Sequence, residues 1–200
     1  MNFMEKNGLE TVSTYFKELF RASVNRDGAV ELLKWLESET DFFTAPASTR
    51  HHLAQPGGLM IHSLNVRRRL REIAIRDMTD RNAPGLHHLS EVEEETVAIL
   101  GLLHDVCKVG VYHQMEGGGS EFRDPLPLGH GEKSLFLITR YMALTEEEAL
   151  AIRWHMGVYD ASTPGARSLD AAMAATPWVW RLQEADMCAA NIDEREAEKP

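Results

Sequence analysis

Apolar side chains recur three and four residues apart in one segment after another of this chain, a spacing that points to helices and leaves little room for a sheet. Val12, Tyr15, Phe16, Leu19, Phe20 and Val24 give a helix over residues 9–24, broken by Asn25, Arg26, Asp27 and Gly28. Val30, Leu32, Leu33, Trp35 and Leu36 give a second, shorter one, and residues 41–50, with Pro46, a loop. After a turn at Pro56, Gly57 and Gly58, the stripe Leu59, Ile61, Leu64, Val66, Leu70, Ile73 and Ala74 predicts a long helix. Arg67, Arg68, Arg69, Arg71 and Arg76 crowd its other faces, which are expected to be solvated. Ser90 with Glu93, and Thr145 with Glu148, have the capping-box spacing that opens two more helices. The first runs through Val97, Leu100 and Leu103, and the second ends near His155. Residues 129–142, 168–175 and 177–192 complete the set, with Pro177 suited to a first turn. Between them, residues 109–124 carry Gly117, Gly118 and Gly119, where a small β-hairpin or a loop over a site is expected. The expected class is all-α.

Two hundred residues suffice for a core without disulfides. The formal net charge of −10 argues against tight binding of duplex DNA, which takes many cationic phosphate contacts. A small anionic substrate is still admissible, because a bound metal inverts the local field. Cys107 and Cys188 fall in apolar helical contexts and read as buried thiols in a reducing compartment. No apolar run is long enough to span a membrane, and the N-terminus has no signal-peptide pattern, so the cytoplasm is the expected location.

The chemistry gathers at helix ends. His104 and Asp105 close an apolar helix; adjacent side chains point about 100° apart, yet both can reach a metal lying between helices. Lys108, three residues after Asp105, stands on the same side, where a cation could hold a phosphate beside the metal. His62 sits early in its helix, His130 at a helix start after Leu128 and Gly129, and His155 at a helix end. Asp186 shares roughly one side of its helix with Trp178, Leu182 and Ala189. An acid facing a core is costly unless it is paired or bound to a metal.

The ordered series His62, His104 and Asp105, His130, His155, Asp186 resembles the HD-domain metal-dependent phosphohydrolase superfamily. The run from Asp105 to Lys108 is similar to that family's His-Asp-x-x-Lys variant. His51, His52, Gly57, Gly58, Leu59 and His62, with Leu128, Gly129 and His130, look like the HD domain of bacterial 3′→5′ exoribonucleases. The OB-fold of those enzymes has no counterpart here, since the pattern before residue 51 is helical. The resemblance implies a helical bundle over residues 51–192, an N-terminal helical extension over 1–50 packed on it, and a charged tail over 193–200 that frays. It implies one metal on His62, His104, Asp105 and Asp186, and a second on His130 and His155 with Asp105 bridging. Two such ions generate a hydroxide and clamp phosphate oxygens, so no Ser or Cys nucleophile is needed. Mixed nitrogen and oxygen ligation suits Mn, Fe, Co, Ni or Zn, one or two per chain. Asp105 and Lys108 would be catalytic, with Lys108, His51 and His52 in contact with substrate. The implied substrate is a small phosphate ester, a nucleotide or an oligonucleotide end. The alternatives are a nucleoside mono- or triphosphate phosphohydrolase and a regulatory module that senses a nucleotide without cleaving it.

Overall fold

The computed structural model describes residues 3–49, 52–78, 88–114, 120–160 and 166–197. His51 and the three consecutive glycines at 117–119 lie outside them. The chain is built of helices α1 (Phe3–Ser23), α2 (Ala29–Ser38), α3 (Gly58–Met78), α4 (Glu91–Leu103), α5 (His130–Thr139), α6 (Glu146–Trp154), α7 (Ala166–Ala175), α8 (Trp178–Cys188) and α9 (Glu194–Ala197). A 3-10 turn, Val106–Lys108, follows α4, and a π turn, Ala189–Asp193, joins α8 to α9. The expected hairpin is present: β1 (Tyr112–Gln114) pairs antiparallel with β2 (Ser120–Phe122), with Tyr112 opposite Phe122. The all-α expectation therefore holds.

Helix α4 is the axis of the bundle. Every residue from Thr96 to Leu103 is buried, as expected of a helix that is apolar on all sides. Helix α3 packs on α4 and α8, and α6 packs on α5 and α8. Phe16 and Phe20 of α1 and Leu32, Leu33 and Leu36 of α2 enter the same core as Leu59 and Leu70 of α3 and Leu100 of α4. Each such side chain contributes about 1.5–3 kcal/mol of transfer free energy, which outweighs any local helix propensity.

Both capping boxes form. Ser90 Oγ accepts from Glu93 N at 3.3 Å, and Glu93 Oε2 accepts from Ser90 N at 2.7 Å. Thr145 and Glu148 repeat the arrangement at 3.2 and 2.9 Å. The second box also has a tertiary role. Buried Glu148 takes both terminal nitrogens of Arg26, at 2.6 and 2.8 Å, and Thr96 Oγ1 at 3.0 Å, tying the α1–α2 turn to α4 and α6.

The arginines of α3 are not simply solvated. Arg71 pairs with Glu94, Arg68 and Arg69 with Asp193, and Arg76 with Glu184. Arg67 lies beneath α4, since a Cβ on Gly101 would come within 2.3 Å of Arg67 Cα. Only glycine lets the two backbones approach this closely. Gly131 does the same for α5 and α6, where an added Cβ would meet Arg153 O at 2.1 Å. Both contacts adjoin histidines: the first sets α3 against the end of α4, and the second sets the start of α5 against the end of α6.

Candidate metal centre

Three helix ends and two helix interiors converge on Asp105. His104 is the C-cap of α4, and Asp105 follows it as the chain turns into the 3-10 segment that ends at Lys108. His155 is the C-cap of α6, and His130 opens α5. His62 lies in the second turn of α3, and Asp186 in the third turn of α8. The structure thus brings together all six side chains that the sequence singled out as metal ligands.

Their reactive atoms face one another. His62 Nε2 is 3.5 Å from Asp105 Oδ2 and 3.1 Å from Asp186 Oδ1. His104 Nε2 is 3.6 Å from Asp105 Oδ2, and His155 Nε2 is 3.6 Å from Asp105 Oδ1. His130 Nε2 reaches Asp105 Oδ1 at 2.7 Å. The rings form an arc, with centroids 5.3 Å apart from His62 to His104, 5.1 Å from His104 to His155 and 5.3 Å from His155 to His130. The order in space differs from the order in sequence.

Whether these residues suit a metal ion can be tested on their hydrogen bonds. His104 Nδ1 donates to Gly101 O at 3.1 Å and His155 Nδ1 to Ile152 O at 2.7 Å. His62 Nδ1 meets Glu194 Oε1 at 3.0 Å. The outer nitrogen of each ring is therefore engaged, while Nε2 of His62, His104 and His155 is buried with no hydrogen-bond partner. Buried polar atoms are nearly always satisfied. Three orphans aimed at buried Asp105 and partly exposed Asp186 fit the donor set of a divalent cation. Ligand atoms of His62, His104 and Asp105 lie within 4.8 Å of one another, as do those of Asp105, His130 and His155, and those of His104, His155 and Asp186.

Electrostatics point the same way. Burial pushes His104 down to about 3, which keeps it neutral with a lone pair available. Burial also opposes charge on His62, but Asp186 and Glu194 outweigh it and raise that ring to about 9. The pocket attracts a proton or a cation alike. Asp105 is held well below the usual carboxylate range, despite burial, by Lys108 and the surrounding imidazoles. Lys108 is raised in turn by Asp105, 2.5 Å away. Cys107 falls in none of these groups of ligand atoms; burial pushes its thiol up to about 12, and its Sγ sits 3.4 Å from the His130 ring. Cys188, expected buried, is only half-buried.

Of the two histidines expected to touch substrate, His52 stands at the rim of the cluster, its ring 5.0 Å from His62 and its Nε2 without a hydrogen-bond partner. His51 lies outside the described residues. Glu194 was missed from the sequence. It falls in a run of charges, Asp193, Glu194, Arg195 and Glu196, that reads as a fraying end, and no local signal separates it from its neighbours. Instead the chain continues through the π turn into α9, and Glu194 is buried.

A family model described as HD domain matches residues 59–191, two thirds of the chain. The comparison with curated proteins and that with solved structures each give no match. HD domains are in general metal-dependent hydrolases, and the matched span runs from the first turn of α3 to the π turn, taking in His62, His104, Asp105, His130, His155 and Asp186. The chain belongs to the HD-domain metal-dependent phosphohydrolase superfamily.

Proposed function

We propose that this protein is a phosphohydrolase whose substrate is a small phosphate ester, a nucleotide or the end of an oligonucleotide. The observation that carries the reading is the trio of buried, unpartnered Nε2 atoms of His62, His104 and His155 around Asp105 and Asp186. His62, His104, Asp105 and Asp186 would hold one divalent ion, and His130 and His155, together with Asp105, a second. Bound there, a divalent ion lowers the pKa of its water toward neutrality and draws charge off a phosphate oxygen.

The chain's own groups do the rest. Asp105 offers both oxygens to the centre and stays ionised across the working pH range, as its depressed pKa supports. Lys108 keeps its ammonium charged. Beside Asp105, that ammonium would have donors to offer an oxygen of the scissile phosphate, where charge develops in the transition state. His52, at the rim, contacts the substrate beyond the phosphate. The hairpin that begins at Tyr112, four residues after Lys108, is anchored at its base by Gly110 N donating to Asp41 Oδ1 at 2.8 Å. Starting so close to Lys108, it would narrow the approach to the site and favour small ligands.

Net charge supports the same limit on size, because −10 leaves little with which to grip a long strand. No helix among the described residues is long and apolar enough to cross a membrane. Two cysteines free of disulfide support a reducing compartment such as the cytoplasm.

The test is a panel of bis-p-nitrophenyl phosphate, nucleoside mono- and triphosphates, a dinucleotide, a short linear oligonucleotide and a circular single strand. It is run with Mn, Fe, Co, Ni and Zn. Turnover of the nucleotides, the dinucleotide or the linear end is expected. Efficient cutting of the circle would refute the terminal preference. Nucleotide binding without turnover under any metal would make the protein a sensor instead.

A further inference from the structure

We propose that Glu194 is a positioning residue of the metal centre: its carboxylate pins the proton of His62 on Nδ1, so that Nε2 is the nitrogen presented to the ion. The inference rests on the metal-centre reading above and extends it to a residue beyond the ligands and beyond the span the family model matches.

The need for such a residue follows from where the histidines sit. His104 and His155 are C-caps, and the last carbonyls of a helix have no partner within it. Gly101 O and Ile152 O, each three residues back, are therefore available and take the Nδ1 protons of those two rings. His62 lies inside α3, where the nearby carbonyls are committed to the helix. Its outer nitrogen has to be satisfied from elsewhere. Glu194 supplies this, with Oε1 and Oε2 at 3.0 and 3.2 Å from His62 Nδ1. An ionised carboxylate can only accept, so Nδ1 must donate. Such a partner fixes ring orientation and raises ligand basicity.

The surroundings show how the carboxylate is held. Asn65 Nδ2 donates to Glu194 Oε1 at 3.1 Å. The neighbouring Asp193 is clamped by Arg68 Nη2 at 2.6 Å and Arg69 Nε at 2.8 Å. Asn65, Arg68 and Arg69 fall three, six and seven residues after His62, along one side of α3. The chain after α8 is laid down along that side. The π turn Ala189–Asp193 adds the offset that faces both acids toward α3, in keeping with the frequent place of π turns at functional sites.

Glu194→Ala and Glu194→Gln test the proposal in the full chain. Zinc and manganese affinity is read by competition with a chromophoric chelator, ion stoichiometry by elemental analysis, and folding by melting in the presence of chelator. Glu194→Ala is expected to weaken affinity roughly 10–100-fold, the usual effect of losing an outer partner of a ligating histidine. Glu194→Gln keeps an oxygen that accepts from Nδ1 and is expected to recover much of that loss. In the zinc-loaded protein, the His62 Nδ1 proton is expected to exchange slowly in wild type and Glu194→Gln, and rapidly in Glu194→Ala. A purely structural role would shift melting without this order of affinities or of exchange. Wild-type affinity in both variants would overturn the proposal. So would one more ion in wild type than in Glu194→Gln, which would make Glu194 a ligand itself. Absence of any bound ion in wild type would sink the metal-centre reading, and this inference with it.

Discussion

Lys108 Nζ lies 2.5 Å from Asp105 Oδ2, while the other oxygen of the same buried carboxylate takes His130 Nε2 at 2.7 Å. One acid thus serves a cation on one side and an imidazole on the other. Lys108→Ala removes the cation but no proposed metal ligand. Metal content should stay at the wild-type level while kcat/KM falls roughly 10–1000-fold, at or below the effect of losing one charge-stabilising donor. An unchanged rate would reduce Lys108 to a counter-ion of Asp105.

Asp105→Ala should abolish activity and strip the protein of bound ions, because both proposed sites use this carboxylate. It also leaves the Lys108 ammonium in the pocket without its partner. His130→Ala should be milder. The His130 ring has a thiol, Cys107 Sγ at 3.4 Å, where His62 has a carboxylate and His104 and His155 have carbonyls. A thiol is the weaker support, so the ion on His130 and His155 should be the first lost on dialysis. Elemental analysis of His130→Ala should give one ion where the loaded wild type gives two. Two ions retained in that variant would remove His130 from the centre.

Glu148 provides a pH dependence remote from the metals. Burial tends to raise its pKa, but Arg26, Thr145 N and Thr96 Oγ1 more than compensate and hold it below its ordinary 4.5. As the pH falls, the unfolded chain takes up this proton before the folded one does. The stabilisation is therefore complete above about pH 4.5 and is lost as the pH drops through the folded value. Glu148→Gln should flatten the acid limb of a plot of melting temperature against pH. At pH 7 it should cost about 3 kcal/mol, the low end for breaking a buried pair, since Arg26 keeps some contact with solvent. An acid limb equal to that of wild type would show that the pair adds nothing.

Gly101→Ala places a Cβ where Arg67 Cα stands 2.3 Å away, so α3 and α4 must separate. Overpacking of this kind costs about 1–3 kcal/mol. His62 rides on α3 and His104 ends α4, so the displacement also reaches the centre. A misplacement near 1 Å can lower kcat/KM by about 100-fold. Denaturant melts and steady-state rates on the same preparation check both effects. A variant equal to wild type in both would mean that α3 and α4 tolerate a wider spacing.

Helix identities were legible because their causes are local. The Ser90–Glu93 and Thr145–Glu148 boxes and the three-and-four spacing of Val97, Leu100 and Leu103 act within a few residues of one another. The candidate ligands were legible through the resemblance of the ordered series His62, His104, Asp105, His130, His155 and Asp186 to HD domains, with one physical cue beside it: an acid on an apolar face, at Asp186, is costly unless something binds it. What the tertiary structure decided depends on approach between distant segments. Gly101 and Gly131 look like ordinary helical glycines until α3 and α6 lie against them. The spatial order His62, His104, His155, His130 follows from which helices cross, and helix crossing is set by side-chain packing along whole faces. Glu194 was hidden furthest. Its partner His62 is 132 residues away, and only the π turn, which shifts the register of the last helix, brings it into contact.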